Sequence, residues 1–206
     1  MLIIGLTGSI ATGKSETSKL FAQAHVPVFD ADAEVHKIYK DRSVVAMLAD
    51  YFPEAIHEGT VNRQILGKIV LTDARKLKAL EVLIHPLVRA QRERFIAKCR
   101  QENANFVIMD IPLLFETEQS GDVDYIIVVS APENIQSERA LARPGMTEEK
   151  LAGIRFRQVP DSEKRQQADF VIENSGSLDQ LREQVEALIA RFNAMGKERN
   201  NAGNRP

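Results

Sequence analysis

The chain has a single cysteine, almost no net charge and no long apolar run, and each absence closes off a class of protein. Cys99 stands alone, so no internal disulfide can form; that fits a reducing compartment, and an inert, partly buried helical thiol is the reading for Cys99 itself. The net charge of -2 supplies no general attraction to nucleic acid or anionic membranes, so any bound anion must be held locally. No segment reaches the roughly 20 apolar residues of a spanning helix. The first residues, MLIIGLTG, carry no basic leader and are too short for a signal peptide. The histidines His25, His36, His57 and His85 are scattered and none has a second histidine at metal-site spacing, which argues against zinc. There are no internal repeats. What is present is ordinary for a soluble globular protein: 206 residues, 44% hydrophobic and 27% charged. The expectation is a cytoplasmic protein with no nucleic-acid or membrane partner.

Five short runs are apolar without alternation, the pattern of parallel strands buried on both faces. They are Leu2–Thr7, Val26–Phe29, Phe106–Met109, Tyr125–Val129 and Asp169–Ile172. Pro27 cannot donate to a ladder, so the second strand should begin at or just after it. Helical patterns between the runs predict an α/β fold with a parallel sheet. The long interval between Phe29 and Phe106 exceeds what one crossover helix needs and reads as a helical insertion. Helices are expected at Ser43–Tyr51, Asn62–Leu71 and Arg75–Arg100, the last kinked or split by Pro86. The C-terminal part opens with a Ser177–Gln180 capping box. An apolar stripe follows through Leu178, Leu181, Val185, Leu188, Ile189 and Phe192. Residues 197–206 are polar and rich in Gly and Asn, and a flexible tail is expected there.

The strongest chemical signal is Gly8-Ser-Ile-Ala-Thr-Gly13-Lys14-Ser15, which satisfies G-x-x-x-x-G-K-[ST] between a strand and an expected helix. Glycines let the backbone curl so that successive N–H groups converge on phosphate oxygens, and the next helix presents its positive end to the same anion. Lys14 would stand on the β- and γ-phosphates, and the Ser15 hydroxyl could ligate Mg²⁺. Ile10 occupies the place where a dinucleotide fingerprint needs glycine, which weakens an oxidoreductase reading. Phe106–Asp110 is apolar and ends in an acid, like a Walker B strand whose carboxylate supports Mg²⁺. ATP as co-substrate with Mg²⁺ is the expectation.

Asp30-Ala-Asp32 closes the second strand, where the carboxyl ends of strands face the ligand crevice. One acid could orient an acceptor hydroxyl and take its proton; the other could cap the next helix, and both could be caps. Between the fourth and fifth strands lie Arg139, Arg143, Arg155, Arg157 and Arg165, mixed with acids. Such a segment could close as a lid over ATP, and one or two of its guanidinium groups could neutralise the transferred phosphoryl. A salt-bridged helical face is the plainer reading for the rest. His85 is by itself more ordinary as a structural residue. Two rival activities remain in view. Another small-molecule P-loop kinase would differ only in its acceptor pocket. A GTP-binding switch would need N-K-x-D and D-x-x-G, and neither occurs.

Taken in order, TGSIATGKS, FDAD (29–32), IHPLV (84–88), MDIPLLFE (109–116) and ADFVIENSG (168–176) resemble the dephospho-CoA kinase family over about residues 2–190. The resemblance implies a three-layer P-loop fold on a five-stranded parallel sheet, and ATP-dependent phosphorylation of the ribose 3′-hydroxyl of dephospho-CoA. It implies a single kinase unit over 1–196, with a core of 1–31 and 104–196, a helical CoA-binding insertion over 32–103 and a lid near 139–165. Asp32 would be the catalytic base, Lys14 the P-loop lysine and Arg139 the lid arginine. Gly8, Ala11, Thr12, Gly13, Ser15, Glu16, Arg143 and Asn174 would surround ATP, with Asn174 at the adenine. Asp30, His85, Pro86, Pro112, Leu113 and Leu114 would lie near the acceptor, and Ser15 and Asp110 at Mg²⁺. A monomer or weak homo-oligomer is expected. The family's loop commonly reads GGIGSGKST, so Ser9, Ala11, Thr12 and Glu16 are departures. Ala11 would be strained if its position needs positive φ, and Glu16 brings a negative charge near the phosphates.

Overall fold

The computed structural model describes residues 1–203, which fall into two compact units, 1–29 with 99–203 and 30–98. Strand β1 (Leu2–Gly8) is the centre of the first unit. Its almost unbroken apolar sequence suits a strand covered on both faces, and residues 4–8 are all buried. It pairs in parallel with β5 (Phe106–Asp110), in the register Leu6 to Asp110, and with β6 (Tyr125–Ser130). With β2 (Val28–Asp30) and β7 (Phe170–Glu173) the sheet has the order β2-β5-β1-β6-β7. Proline 27 stays outside β2 and contributes only its carbonyl, which accepts from Ile108 N–H at 2.9 Å.

Helices α1 (Lys14–Gln23) and α9 (Leu178–Gly203) pack on this sheet. Leu20 and Phe21 from α1, and Leu181, Val185 and Phe192 from α9, join Ile4, Leu6, Ile108 and Ile127 in one core. Phe192 lies between Phe106 and Phe170, with ring centroids at 5.4 and 5.0 Å. Burial of each such side chain contributes about 1.5–3 kcal/mol. The apolar stripe read from the sequence is therefore the sheet-facing side of α9. The helix also runs on through 197–203, part of the segment expected to be a flexible tail. Lys197, Glu198 and Arg199 are good helix formers. Arg199 pairs with Asp124 at 2.6 Å, and the Met1 ammonium reaches Asn200 Oδ1. The remainder of that tail, 204–206, lies outside the described residues.

Three helices cover the stretch between β6 and β7: α6 (Glu133–Leu141), α7 (Glu148–Arg157) and α8 (Asp161–Gln166). The second unit is helical apart from a hairpin. It contains α2 (Ala31–Ile38), α3 (Arg42–Tyr51), α4 (Arg63–Thr72) and most of α5 (Ala74–Gln101). Strands β3 (Ile56–His57) and β4 (Thr60–Val61) turn through Glu58 and Gly59, both at positive φ as a two-residue hairpin requires. Leu48, Phe52, Ala55, Leu66 and Ile84 form its core. Proline 86 neither splits nor ends α5, which is assigned as a continuous helix of 28 residues. The carbonyl that its ring displaces belongs to Val82, which is 62% exposed and can turn to water.

Candidate active site

The turn from β1 into α1 has the conformation that the glycine spacing requires. Gly13 is the N-cap of α1 at φ 99°, and no side chain caps the helix; the Glu16 N–H turns back to Gly13 O at 3.0 Å, which leaves the Lys14 and Ser15 N–H groups for a ligand. A Cβ on Gly8 would lie 2.6 Å from the Val129 carbonyl, and one on Gly13 would lie 1.9 Å from Asn174 Nδ2. Thr12 is fully buried and its hydroxyl donates to Ser9 O at 3.0 Å, which closes the turn from inside. Ala11 does sit at positive φ, 60°. Its methyl is buried against Ala140 and Leu151 of α6 and α7, and that contact offsets part of the left-handed strain of about 1–2 kcal/mol. Glu16 pairs with Lys19 at 3.3 Å one turn further along α1, so its carboxylate is directed along the helix.

Lys14 is paired with Asp110, whose side chain is only 5% exposed at the end of β5. The acid expected at the Walker B position and the P-loop lysine thus meet in the protein itself. The Ser15 side chain stands at an exposed position. An exposed hydroxyl and a buried carboxylate are hard oxygen donors of the kind Mg²⁺ takes alongside phosphate and water. Among the described residues no cluster of three or more acidic, His or Cys side chains forms a metal cage.

Asn174, just past β7, joins three parts of the site. Its Nδ2 donates to Thr12 O at 2.8 Å, its own N–H donates to Ser130 O at 2.8 Å, and its carbonyl accepts from Arg139 Nη1 at 2.9 Å. Arg139, in the last turn of α6, is therefore drawn to the cradle. Arg155 is spent on Glu133 and Ser137, and Arg165 on Ser130 and Glu173. Arg143 is exposed. Gln158, at the C-cap of α7, was not reached by the sequence reading. Its Oε1 accepts from Ile10 N–H at 3.0 Å, and a cleft of about 560 Å³ opens beside Ser9, Arg155, Gln158 and Arg165. A lone Gln after a helix carries no pattern that could have revealed it.

The PLLFE segment is held from both sides. Pro112 O accepts from the Thr7 hydroxyl at 3.0 Å. Leu113 is 43% exposed, whereas Leu114 is fully buried beside Gly5. Glu116 Oε1 accepts from Val159 N–H at 3.0 Å and lies 2.8 Å from Nζ of Lys164, which is 0% exposed. The Lys164 contact is ionic without well-directed hydrogen-bond geometry, and Glu116 Oε2 has no partner among the described residues.

In the second unit the two acids divide their work. Asp30 is the N-cap of α2 and accepts from Ala33 N–H at 2.9 Å. Asp32 is exposed in the first turn and makes no hydrogen bond among the described residues. Both line an open cleft of about 420 Å³ with His36, Lys37, Lys40 and Arg63. Arg63 donates to His36 Nδ1, and Lys37 pairs with Glu34. Burial raises the pKa of nearby Tyr39 above the usual phenol value, opposed by the Arg63 charge. His85 and Pro86 are exposed on α5 and do not line this cleft.

The chain is similar to known proteins over most of its length. Residues 2–180 match the family model described as dephospho-CoA kinase. A curated dephospho-CoA kinase of Mesorhizobium japonicum is 51% identical over 190 residues, covering 92% of this chain and 95% of that protein. A solved structure from Thermus thermophilus is similar at TM-score 0.82 and 35% identity, covering 92% of this chain and 97% of that one. A dephospho-CoA kinase structure from Campylobacter jejuni is similar at TM-score 0.71 and 27% identity, with 93% and 97% covered.

Proposed function

The chain belongs to the dephospho-CoA kinase family and catalyses ATP-dependent phosphorylation of dephospho-CoA, and from that premise we propose that Asp32 is the base that takes the acceptor proton. The observation that carries this assignment is the capping of α2 by Asp30, which leaves the Asp32 carboxylate uncommitted. In the transfer, the ribose 3′-oxygen bonds to the γ-phosphorus of ATP as the bond to the β–γ bridging oxygen breaks. The hydroxyl proton passes to Asp32 and ADP leaves.

Lys14, the uncapped start of α1 and the loop N–H groups hold the phosphates. Arg139 neutralises charge on the moving phosphoryl, held by the Asn174 carbonyl. Bound Mg²⁺, held by Ser15 and Asp110, would supply electrostatic stabilisation of the phosphate oxygens. ATP binding then replaces the Asp110 partner of Lys14 with phosphate. Asn174 supports the loop from beneath; Leu113 remains a candidate acceptor contact on its exposed face. No helix among the described residues is long and apolar enough to cross a membrane.

Asp32→Asn tests the assignment. The expected result is a fall in kcat of roughly 10²–10⁴ with little change in either KM. A near-normal kcat would remove Asp32 from the chemistry, and turnover of shikimate or nucleotides in place of dephospho-CoA would overturn the substrate.

A further inference from the structure

The basic groups in the Asp32 cleft are not needed to deprotonate a hydroxyl. Their arrangement suits a different purpose. His36 follows Asp32 by four residues and so lies one turn, about 5.4 Å, further along the same face of α2. Lys40 comes four residues later, just past the C-cap Tyr39, which keeps αR geometry and continues the line. Arg63 enters from the first position of α4, directly after the Asn62 cap, and its Nη1 reaches His36 Nδ1. That contact uses one of five guanidinium donors and fixes the plane of the group. Lys37, by contrast, is committed to Glu34, and Asp30 to Ala33 N–H. The cleft is therefore acidic at one end, at Asp32, and cationic at the other.

The acceptor has the same polarity. Dephospho-CoA carries its reacting 3′-hydroxyl on one side of a ribose and a diphosphate on the 5′ side of that ribose. If the hydroxyl is delivered to Asp32, the diphosphate must lie about one sugar away, a span comparable to one helical turn. We infer that Arg63 and Lys40, with His36 orienting Arg63, anchor the 5′-diphosphate of the acceptor and so set both its register and its selection over nucleosides that lack a diphosphate. Arg63 can grip two phosphate oxygens in fork geometry, while Lys40 supplies a point charge. The inference rests on the reading of Asp32 as base, because that reading places the ribose.

The test is steady-state kinetics with both substrates varied, on Arg63→Gln, Lys40→Ala and Arg63→Lys. Arg63→Gln should raise KM for dephospho-CoA about 10- to 100-fold, the worth of a charge-assisted contact. Its kcat and its KM for ATP should stay within about threefold, a margin too small to represent a lost charged contact. Lys40→Ala should shift the same KM by a smaller factor, and Arg63→Lys should restore part of the loss. Rising salt should raise the dephospho-CoA KM of the wild type more steeply than that of Arg63→Gln. An unchanged acceptor KM, a rise in the ATP KM instead, or a loss confined to kcat would each overturn the anchor. Circular dichroism and a melt identify a variant that fails to fold, and the exposed Lys40 then carries the test alone. The two readings fail separately. A normal Asp32→Asn enzyme with a raised acceptor KM in Arg63→Gln would remove the base and leave the anchor.

Discussion

Asn174 Nδ2 donates to the Thr12 carbonyl at 2.8 Å and stands where any side chain on the neighbouring Gly13 would have to go. The amide thus holds the floor of the phosphate cradle from inside the protein. Asn174→Ala leaves a buried carbonyl unpaired, at a cost of about 1–3 kcal/mol, and loosens the loop. The expected outcome is a lower melting temperature together with a KM for ATP raised roughly tenfold, which corresponds to about 1.4 kcal/mol. KM for dephospho-CoA should stay unchanged. An ATP KM equal to the wild type would show that the loop holds its shape without this bond.

The Glu116–Lys164 pair makes a prediction about stability. Lys164 is 0% exposed, so removing its partner strands a charge in the interior. Glu116→Gln should lose about 3–5 kcal/mol in denaturant unfolding, and Glu116→Leu with Lys164→Met should recover most of it. A single-variant loss under about 1 kcal/mol would mean that Lys164 finds water or another partner.

Two caps in the helical unit make part of its stability depend on pH. Asp41 accepts from the Ser43 hydroxyl and N–H, and Asp73 from the N–H groups of Arg75 and Lys76. The Ser43 hydroxyl bond chiefly, and for Asp73 the Arg75 N–H bond chiefly, hold these carboxyls below their usual pKa. Their contribution is therefore complete above the unfolded value near pH 4 and is lost as pH falls through the lower folded values. The stability gap between the wild type and an Asp41→Ala, Asp73→Ala variant should narrow from pH 7 towards pH 2. A gap that is constant or widens over that range would contradict the assignment.

The sheet was legible in the sequence because a strand buried on both faces must be apolar at consecutive positions, and Leu2–Thr7, Phe106–Met109 and Tyr125–Val129 are. The phosphate cradle was legible for a similar reason, since glycines and a lysine at fixed spacing have few other uses. Helix α2 was expected only as the helix that Asp30 or Asp32 would cap, and its bounds were not read, because Ala31–Ile38 mixes acids and bases and buries only Ile38. Whether Asp30 or Asp32 was the cap could not be settled from composition, because either acid can accept from the backbone; the Ala33 N–H bond decides it. Pro86 suggested a kink or a split, and the helix is not split, because a solvent-facing carbonyl can tolerate what a buried one cannot. Contacts such as Gln158 to Ile10 join residues 148 apart in the chain and leave no local periodicity.

Ala11 has a consequence for how this loop can change. Its methyl, held at φ 60°, fills space against Ala140 and Leu151. Restoring glycine there would relieve the backbone but open a gap between two helices, while a larger residue at 140 or 151 would collide with the methyl that is present. The three positions share one fixed volume. Loop sequences from relatives with glycine at this place are therefore not interchangeable parts: a graft of the loop alone inherits a void, and the helical residues must be carried across with it.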